Sequence, residues 1–226
     1  PIISACAKIN IRPIAFRHER GAVMAADGYS RISMRKKFGV VAVQSQAGAE
    51  NAMGGIAQAA ADNIPILILL GGNSLDQISV KPNFSAVQKY QGWVKQVEAI
   101  YSPTQVGAVM RRAFNALKNG PPGPVVVEMT TDVCQQNVPE EYQNYKSPSY
   151  SLQVPDTNEI ARAIELWQKA RKPVIWAGGG VLASSGSIPL KELAELTATP
   201  VFCTMPGKSS FDERHPLALG AGCGTT

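Results

Sequence analysis

Short apolar segments alternate with longer amphipathic segments through roughly the first 135 residues of the chain. Five apolar segments have the length and composition of β-strands, at residues 13–16, 38–44, 64–70, 95–101 and 123–129. The amphipathic segments between them predict helices over residues 21–31, 48–61 and 103–118. Strands that alternate with helices in this way are typical of a parallel sheet with crossover helices, so we predict an α/β fold.

Three of these strands are apolar at successive positions and not at every second position, at 38–44, 64–70 and 123–129. Strands with continuous apolar character are usually covered on both faces. We therefore predict a parallel sheet flanked by helices on both sides.

A polar stretch with no hydrophobic period follows, from residue 137 to residue 155. Its scattered Pro, Gln, Tyr and Ser are typical of a connection, so we predict a linker over residues 137–156. On this interpretation residues 1–136 form one domain, and residues 157–226 belong to a second.

The second domain begins with a capping box at residues 156–159, and Ile160, Ile164 and Trp167 follow on one face of a predicted helix. A strand at 173–178, a helix at 190–198 and a strand at 200–204 come next. This order is typical of a Rossmann-like α/β domain. We expect the domain to be incomplete, because the pattern stops after these few elements.

The composition allows a full hydrophobic core, since 45% of the 226 residues are hydrophobic and 17% are charged. The longest apolar run, at residues 64–70, is much shorter than the roughly 18 to 20 residues of a membrane-spanning helix. The first residues also lack the basic and apolar regions of a secretory leader. We therefore expect a cytoplasmic protein with no membrane partner.

The four cysteines, Cys6, Cys134, Cys203 and Cys223, are widely spaced and form no CxxC pair. This spacing disfavours a zinc ribbon or a redox dithiol, so we expect reduced thiols and no metal site in this chain. The net charge of +5 comes from dispersed Lys and Arg, apart from a cluster at residues 35–37. No aromatic or basic stripe accompanies that cluster, which therefore predicts a solvated turn and no nucleic-acid partner.

The two ends of the sequence indicate a piece of a longer protein. The chain begins with Pro1 in place of a methionine, and its last residues, GAGCGTT, are typical of a loop. We therefore expect further sequence beyond both ends.

Three polar clusters fall where predicted strands end, at residues 17–19, 45–51 and 71–74. In a parallel sheet, ligands bind outside the carboxyl ends of the strands, because loops and helix N-termini converge there. These clusters therefore form the candidate site. Glu19, at the start of a predicted helix, could serve catalysis or only stabilise the helix dipole.

Three motifs resemble, in order and spacing, the pyrimidine-binding domain of thiamine-diphosphate enzymes of the acetolactate synthase-like group: RHERGAVMAADGYSR, GVVAVQSQAGAENAMGGIAQAAADNIPILILLGG and AFNALKNGPPGPVVVEMTTDV. The later stretch from ARKPVIWAGGGV to HPLALG resembles the start of the central domain of the same enzymes. The resemblance implies that residues 1–136 are a pyrimidine-binding domain truncated at its N-terminus. Residues 157–226 would then be part of the central domain, with the diphosphate-binding domain absent.

The resemblance also implies a catalytic role for Glu19. In the related enzymes, the glutamate of the RHE motif bonds N1′ of the cofactor aminopyrimidine, which then removes the C2 proton of the thiazolium. Arg17 and His18 would tune or position this end of the site, with His18 on the substrate side.

The family's TSGPGATN segment is matched here at Ser45, Gly48 and Asn51. The resemblance makes these residues candidates to bind the cofactor together with Glu19. Gly48 could let the backbone approach a ligand, or it could simply permit a tight turn.

Other positions depart from the family pattern. Gln46 and Ala47 stand where the family has glycine and proline, so we expect a loop of different shape with Gln46 on the substrate side. Phe84 matches the phenylalanine of an AFQE stretch that lines the active site of acetolactate synthases, but Ser85 replaces the glutamine. Phe84 is therefore either a substrate-side residue or a core residue. Lys95, which matches the lysine of a family TK pair, could equally be a surface lysine.

The resemblance implies thiamine diphosphate as the cofactor, with Mg²⁺ held by the absent diphosphate-binding domain. Acetolactate synthases also bind FAD, helped by the arginine of a GRPGPV segment, but Pro121 stands at that position here and makes FAD optional. Active sites of this family form between two subunits. We therefore expect a homo-oligomer, a dimer or tetramer, and we expect the isolated fragment to be inactive.

The leading hypothesis is an enzyme that decarboxylates a small-molecule 2-keto acid and ligates the resulting carbanion to a carbonyl acceptor, with the thiazolium as electron sink. A simple decarboxylase or oxidase of the same superfamily, including the acyl-CoA type, is an alternative. GGGV at 178–181 would suit a nicotinamide-dependent oxidoreductase, although the next strand ends in FCT, without a ribose-binding carboxylate. A non-catalytic binding protein would have no need of Glu19.

Overall fold

The computed structural model describes residues 2–151 and 153–222. The chain divides into two compact units, residues 1–151 and 152–226. A 3-10 turn at Glu140–Tyr142 lies in the segment before that division. Cys223 and the rest of the C-terminal GAGCGTT motif beyond Gly222 lie outside the described residues.

The first unit is built on a parallel sheet with strand order β1-β2-β4-β3. Its strands are β1 Gly39–Val43, β2 Ile66–Gly72, β3 Gln96–Ile100 and β4 Val125–Thr130. The two central strands, β2 and β4, are buried at almost every position. The prediction of a parallel sheet covered on both faces is therefore confirmed, as expected from its continuous apolar strands.

Helices cover both faces of this sheet. They are α2 Glu19–Ile32, α3 Ala47–Ala61, α4 Ala86–Tyr90 and α5 Val106–Lys118. A further helix, α1 Ile2–Lys8, has no buried residue. Side chains of α2, α3 and α4 pack on one face with alternate residues of β2, such as Ile66 and Ile68. The residue between them, Leu67, points to the opposite face and packs with side chains of α5. This alternation gives the unit two hydrophobic layers, one on each side of the sheet.

The helix α2 lies unusually close to the start of β1. A Cβ atom on Gly39 would lie 2.3 Å from the carbonyl oxygen of Ala26, so no larger residue fits there without moving the backbone. The buried hydroxyl of Ser30 donates to the carbonyl of Pro65 (2.7 Å) and accepts from the amide of Gly39 (2.9 Å). One side chain thus connects α2 to the entrances of β1 and β2.

One predicted strand, at residues 13–16, is wrong. Residues 11–16 have no regular secondary structure, and all of them are exposed. Ile14 and Phe16 keep 68% and 48% of their surface exposed, and Pro13 has no amide hydrogen to donate to a ladder. An apolar segment becomes a strand only where a neighbouring strand accepts its hydrogen bonds, and β1 forms this edge of the sheet.

The second unit contains a smaller parallel sheet in the order β5-β6-β7. Its strands are β5 Ile175–Ala177, β6 Val201–Thr204 and β7 Ala218–Gly222, and its helices are α6 Thr157–Lys169, α7 Gly179–Ala183 and α8 Ser187–Thr197. The core lies between this sheet and α8, at Leu190, Ala194 and Val201. The predicted α/β character is confirmed here, while β7 and α7 are elements that the hydrophobic pattern did not predict.

The capping box predicted before α6 is present in part. The Asp156 carboxylate accepts hydrogen bonds from the amides of Asn158 (2.7 Å) and Glu159 (3.4 Å). The predicted apolar face of this helix stays open to a large extent, since Ile160 and Ile164 are 42% and 51% exposed.

Candidate active site

The candidate site lies at the carboxyl end of the first sheet, where the start of α2 meets the loop that leads from β1 into α3. Glu19 is the first residue of α2 and is half-buried. His18 caps this helix, because its Nδ1 atom accepts a hydrogen bond from the Arg20 amide at 3.1 Å. His18 and Arg17 are both exposed. His18 therefore fixes the start of the helix on which Glu19 stands.

Glu19 is held against the first turns of α3. The Asn51 side-chain amide donates from Nδ2 to Glu19 Oε2 at 3.3 Å. A Cβ atom on Gly48 would lie 3.5 Å from Glu19 Oε1, so a side chain there would take up the space beside the carboxylate. The structure thus brings together Glu19, Gly48 and Asn51, which the sequence placed in two separate clusters.

The loop before α3 has a strained turn. Gln46 precedes the helix with φ 56° and ψ −115°, a conformation that glycine adopts more readily than other residues. Its side chain makes no capping hydrogen bond to α3. Gln46 stands where the related family has glycine, so the backbone keeps a glycine-type conformation although the side chain has changed.

A cavity of about 470 Å³ opens beside this loop, at the carboxyl ends of β1, β2 and β4. Ser45 and Gln46 line one side of it, and Gly72 and Thr131 line the sheet end. The remaining lining residues are Asn73, Ser74, Gln77, Val80, Lys81 and Pro82. We call residues 73–85, which connect β2 to α4, the wall loop.

The wall loop supplies most of the cavity lining, and sequence reasoning found only its first residues. Asn73 and Ser74 belong to the predicted cluster at the end of β2, because the rule of carboxyl strand ends applies to them. Thr131, just after β4, could have been found by the same rule. Lys81 is charged, but it stands in an irregular loop where no period or motif marks it.

Phe84 and Lys95 are not among the residues that line this cavity. Phe84 is 6% exposed and belongs to the core beneath α3 and α4. Lys95 lies before β3 and donates from Nζ to the carbonyls of Ala116 and Asn119 (2.6 Å for Asn119), at the end of α5. Burial lowers the pKa of Lys95. In this unit both residues have structural contacts.

A buried carboxyl group that the sequence analysis did not single out lies under the wall loop. Glu128, on β4, is 5% exposed, and its Oε2 atom accepts from the amide of Ala86 at 3.0 Å. Burial raises its pKa, and hydrogen bonds from the Ala86 and Val87 amides partly offset this effect. The only signal in the sequence is a single charge inside the apolar run VVVEM.

The first turn of α3 has a second support. Tyr90, which is fully buried, donates its hydroxyl hydrogen to the carbonyl of Ala49 at 2.6 Å. Burial, together with the charge of Glu50, raises the pKa of Tyr90 to about 12. The hydroxyl therefore stays protonated and fixes the backbone next to Gly48.

The glycine-rich turn of the second unit leads from β5 into α7, which has five residues. The neighbouring strand β6 ends at Thr204, whose hydroxyl accepts a hydrogen bond from the Gly207 amide at 3.1 Å. Pro121, at the position considered for FAD, is exposed between α5 and β4.

The described residues, 2–151 and 153–222, hold no group of three or more His, Cys, Asp or Glu side chains arranged for a metal ion. Cys6, Cys134 and Cys203 are free thiols. Within the same part of the chain, every helix is too short or too polar to cross a membrane.

Two family models match the chain. Residues 1–99 match the thiamine pyrophosphate enzyme N-terminal TPP binding domain, and residues 160–226 match the thiamine pyrophosphate enzyme central domain. The chain therefore belongs to the thiamine pyrophosphate enzymes.

Curated relatives define the group within this family. A probable acetolactate synthase large subunit of Methanococcus aeolicus is 36% identical over 218 residues, which are 90% of this chain and 35% of the relative. Acetolactate synthase isozyme 3 large subunit of Escherichia coli K12 is 33% identical, over 92% of this chain and 37% of the relative. The resemblance to the acetolactate synthase-like group is confirmed, and the chain spans little more than a third of these relatives' length.

A solved structure shares the fold. The X-ray structure of a Mycobacterium smegmatis protein, described as a thiamin diphosphate-dependent enzyme, matches with a TM-score of 0.81 and 26% sequence identity. The match covers 91% of this chain and 40% of that protein. The α/β architecture predicted from the sequence is thus that of a thiamine-diphosphate enzyme.

Proposed function

We propose that this chain is part of a thiamine-diphosphate-dependent enzyme that decarboxylates a 2-keto acid and joins the remaining fragment to a carbonyl acceptor. The observation that carries the proposal is the position of Glu19 at the start of α2, hydrogen-bonded to Asn51 and beside a glycine at position 48. The similarity to acetolactate synthases supports ligation as the outcome.

The residues around Glu19 fit an aminopyrimidine ring. Asn51 donates to Oε2, while Oε1 receives no hydrogen bond from the described residues and faces the space that Gly48 leaves open. That free oxygen can hold a proton shared with a ring nitrogen, and Asn51 keeps the carboxylate in place for it. When bound, thiamine diphosphate supplies the electron sink for the loss of CO₂.

The cavity beside the β1–α3 loop suits the 2-keto acid. Its wall carries hydroxyl and amide groups at Ser45, Gln46 and Asn73, which can hydrogen-bond a carbonyl oxygen. Ser45 lines this cavity and stands three residues before Gly48 in the chain, so we assign it to the cofactor side.

Several parts of the proposal concern the whole protein. We propose that Mg²⁺ and the diphosphate are bound by sequence outside this chain, and that the active site forms between subunits of a homodimer or tetramer. A cytoplasmic location agrees with the reduced cysteines. FAD is optional, because proline stands at position 121.

The test of the function is turnover of the full-length protein with Glu19→Gln. We expect a loss of about 100-fold or more, the scale of a removed acid–base group. Glu50→Gln is the matched control, since Glu50 lies on α3 and pairs with Lys89 at 3.4 Å. Turnover of Glu19→Gln close to that of the unchanged protein would remove Glu19 from the mechanism.

A second measurement separates the reaction classes. Denatured full-length protein should release thiamine diphosphate, and incubation with pyruvate should give a ligated hydroxy-keto acid. Release of acetaldehyde alone would support the simple decarboxylase, and a bound nicotinamide without thiamine diphosphate would refute the proposal.

A further inference from the structure

The wall loop is fastened at both ends by carboxyl groups of one segment. Directly after its end, the amide of Ala86, the first residue of α4, donates to Glu128 at 3.0 Å. Near its start, the amide of Leu75 donates to Asp132 Oδ2 at 3.2 Å. Glu128 and Asp132 are four residues apart, on β4 and just after it. One short segment, β4 and the two residues after it, thus holds the loop near its start and directly after its end.

The fit of Glu128 depends on the neighbouring strand. A Cβ atom on Gly72, at the end of β2, would lie 3.0 Å from Glu128 Cγ and 3.1 Å from Oε1. The glycine therefore leaves the space through which the Glu128 side chain reaches the loop. A shorter carboxyl at 128 would lose contact with the Ala86 amide, since removing one methylene withdraws it by about 1.5 Å.

The wall loop carries the charge of the cavity. Among the described residues that line the cavity, Lys81 is the charged one, and the others are neutral. A 2-keto acid carries a carboxylate at neutral pH, and the ammonium group of Lys81, which is exposed and lines the cavity, is its natural counter-charge. The loop brings Lys81 to the same cavity as Ser45 and Gln46.

We propose that Lys81 binds the carboxylate of the substrate and that Glu128 and Asp132 act as positioning residues that hold the wall loop in place for it. This inference rests on the proposed function, because it takes the 2-keto acid as the ligand of the cavity.

The test uses the full-length holoenzyme, with pyruvate as the substrate and its uncharged analogue methyl pyruvate, an ester that cannot lose CO₂, as a competitive inhibitor. Lys81→Gln should raise the KM for pyruvate by about 10-fold with kcat within about threefold, the pattern of lost uniform binding. The inhibition constant of methyl pyruvate should change little, because its carboxyl group is esterified and carries no charge. Lys89→Gln is the matched control, since Lys89 pairs with Glu50 on α3 and does not line the cavity.

The positioning role of Glu128 is tested by shortening its side chain. Glu128→Asp should raise the KM for pyruvate in the same direction, and the double variant with Lys81→Gln should be no worse than Lys81→Gln alone, because both act through one ammonium group. Glu128→Gln keeps the length and an acceptor oxygen and should restore most of the binding. Glu98→Asp is the control, since that carboxylate on β3 pairs with Arg112.

Hydrogen exchange gives a readout that needs no substrate. The amides of residues 73–86 should exchange faster in Glu128→Asp and Asp132→Ala than in the control, with the rest of the sheet unchanged. Unchanged exchange, an unchanged KM in Lys81→Gln, or multiplicative effects in the double variant would each overturn the inference. Full-length protein that binds no thiamine diphosphate and consumes no pyruvate would instead refute the proposed function, whatever the exchange of the loop.

Discussion

Asn51 donates a hydrogen bond to the Glu19 carboxylate across 3.3 Å, although 32 residues separate the two in the chain. The contact exists because α2 and α3 begin at the same edge of the sheet, one after an irregular segment and the other after β1. A side-chain amide is a suitable partner here, since it orients a carboxylate without adding charge to it. The geometry makes Asn51 a positioning residue for Glu19.

Replacing Asn51 by Ala should lower kcat of the full-length protein by about 10-fold, because a freely rotating carboxylate spends less time in the reactive orientation. The effect should be smaller than that of Glu19→Gln, in which the acid–base group itself is lost. Gln58→Ala is the control, an exposed position later on the same helix. Equal kcat in Asn51→Ala and the control would show that Glu19 needs no support from α3.

The alternation of apolar and amphipathic segments was enough to predict the sheet and its covering helices. Continuous apolar runs such as Ile66 to Leu70 leave no polar face, so burial on both sides follows directly. The rule of carboxyl strand ends placed Gly48 and Asn51 at this edge. It placed Glu19 there only through the predicted strand at 13–16, which does not form, so the resemblance to the family is what singled out Glu19.

Other features depend on contacts that no local pattern records. Residues 13–16 have the composition of a strand, but whether they pair is decided by the rest of the sheet. In the sequence, Glu128 is a single charged residue inside an apolar strand. Only the three-dimensional structure shows that Gly72 leaves space for its side chain and that the Ala86 amide donates a hydrogen bond to it. Lys81 lines the cavity from an irregular loop, where no hydrophobic period marks it.

Two glycines of the first unit should respond in opposite ways to alanine. Gly39→Ala would place a methyl group 2.3 Å from the Ala26 carbonyl, so we expect a loss of about 3 kcal/mol or more, or failure to fold. Gly28→Ala, in the middle of α2, meets no atom within 4 Å and should gain about 0.5 to 1 kcal/mol from helix propensity. The midpoints of urea unfolding measure both. Equal effects of the two substitutions would contradict the close approach of α2 and β1.

Tyr90 should make the first unit sensitive to alkali. Its pKa is about 12 in the folded protein against an ordinary value of 10.0, so its contribution is fully present below pH 10 and is lost as the pH rises toward 12. The loss is on the order of 2 to 3 kcal/mol. Tyr90→Phe has no hydroxyl to titrate and no hydrogen bond to Ala49. Because that hydrogen bond is lost, the variant should be less stable by about 1 kcal/mol at pH 7. Its unfolding free energy should fall less steeply above pH 10, and parallel pH profiles for the two proteins would contradict the prediction.

Glu128 should act in the opposite part of the pH range. Burial raises its folded pKa above the ordinary 4.5, so the folded state holds the proton more tightly than the unfolded chain. Its contribution to stability is therefore largest below pH 4.5 and declines as the pH rises through the folded pKa. Tyr101 is the titratable neighbour that senses this charge, since burial and the Glu128 carboxylate both raise the pKa of Tyr101.

Glu128→Gln replaces the titrating group by a neutral one of the same length. The difference in unfolding free energy between the unchanged protein and this variant should therefore shift in favour of the variant as the pH rises from 4.5 toward neutrality. Denaturant unfolding at a series of pH values measures the difference. Glu98→Gln is the comparison, because it replaces a carboxylate on β3 that is paired with Arg112. A difference that is constant over this range would mean that the pKa of Glu128 is the same in the folded and unfolded states, which would contradict the effect of burial.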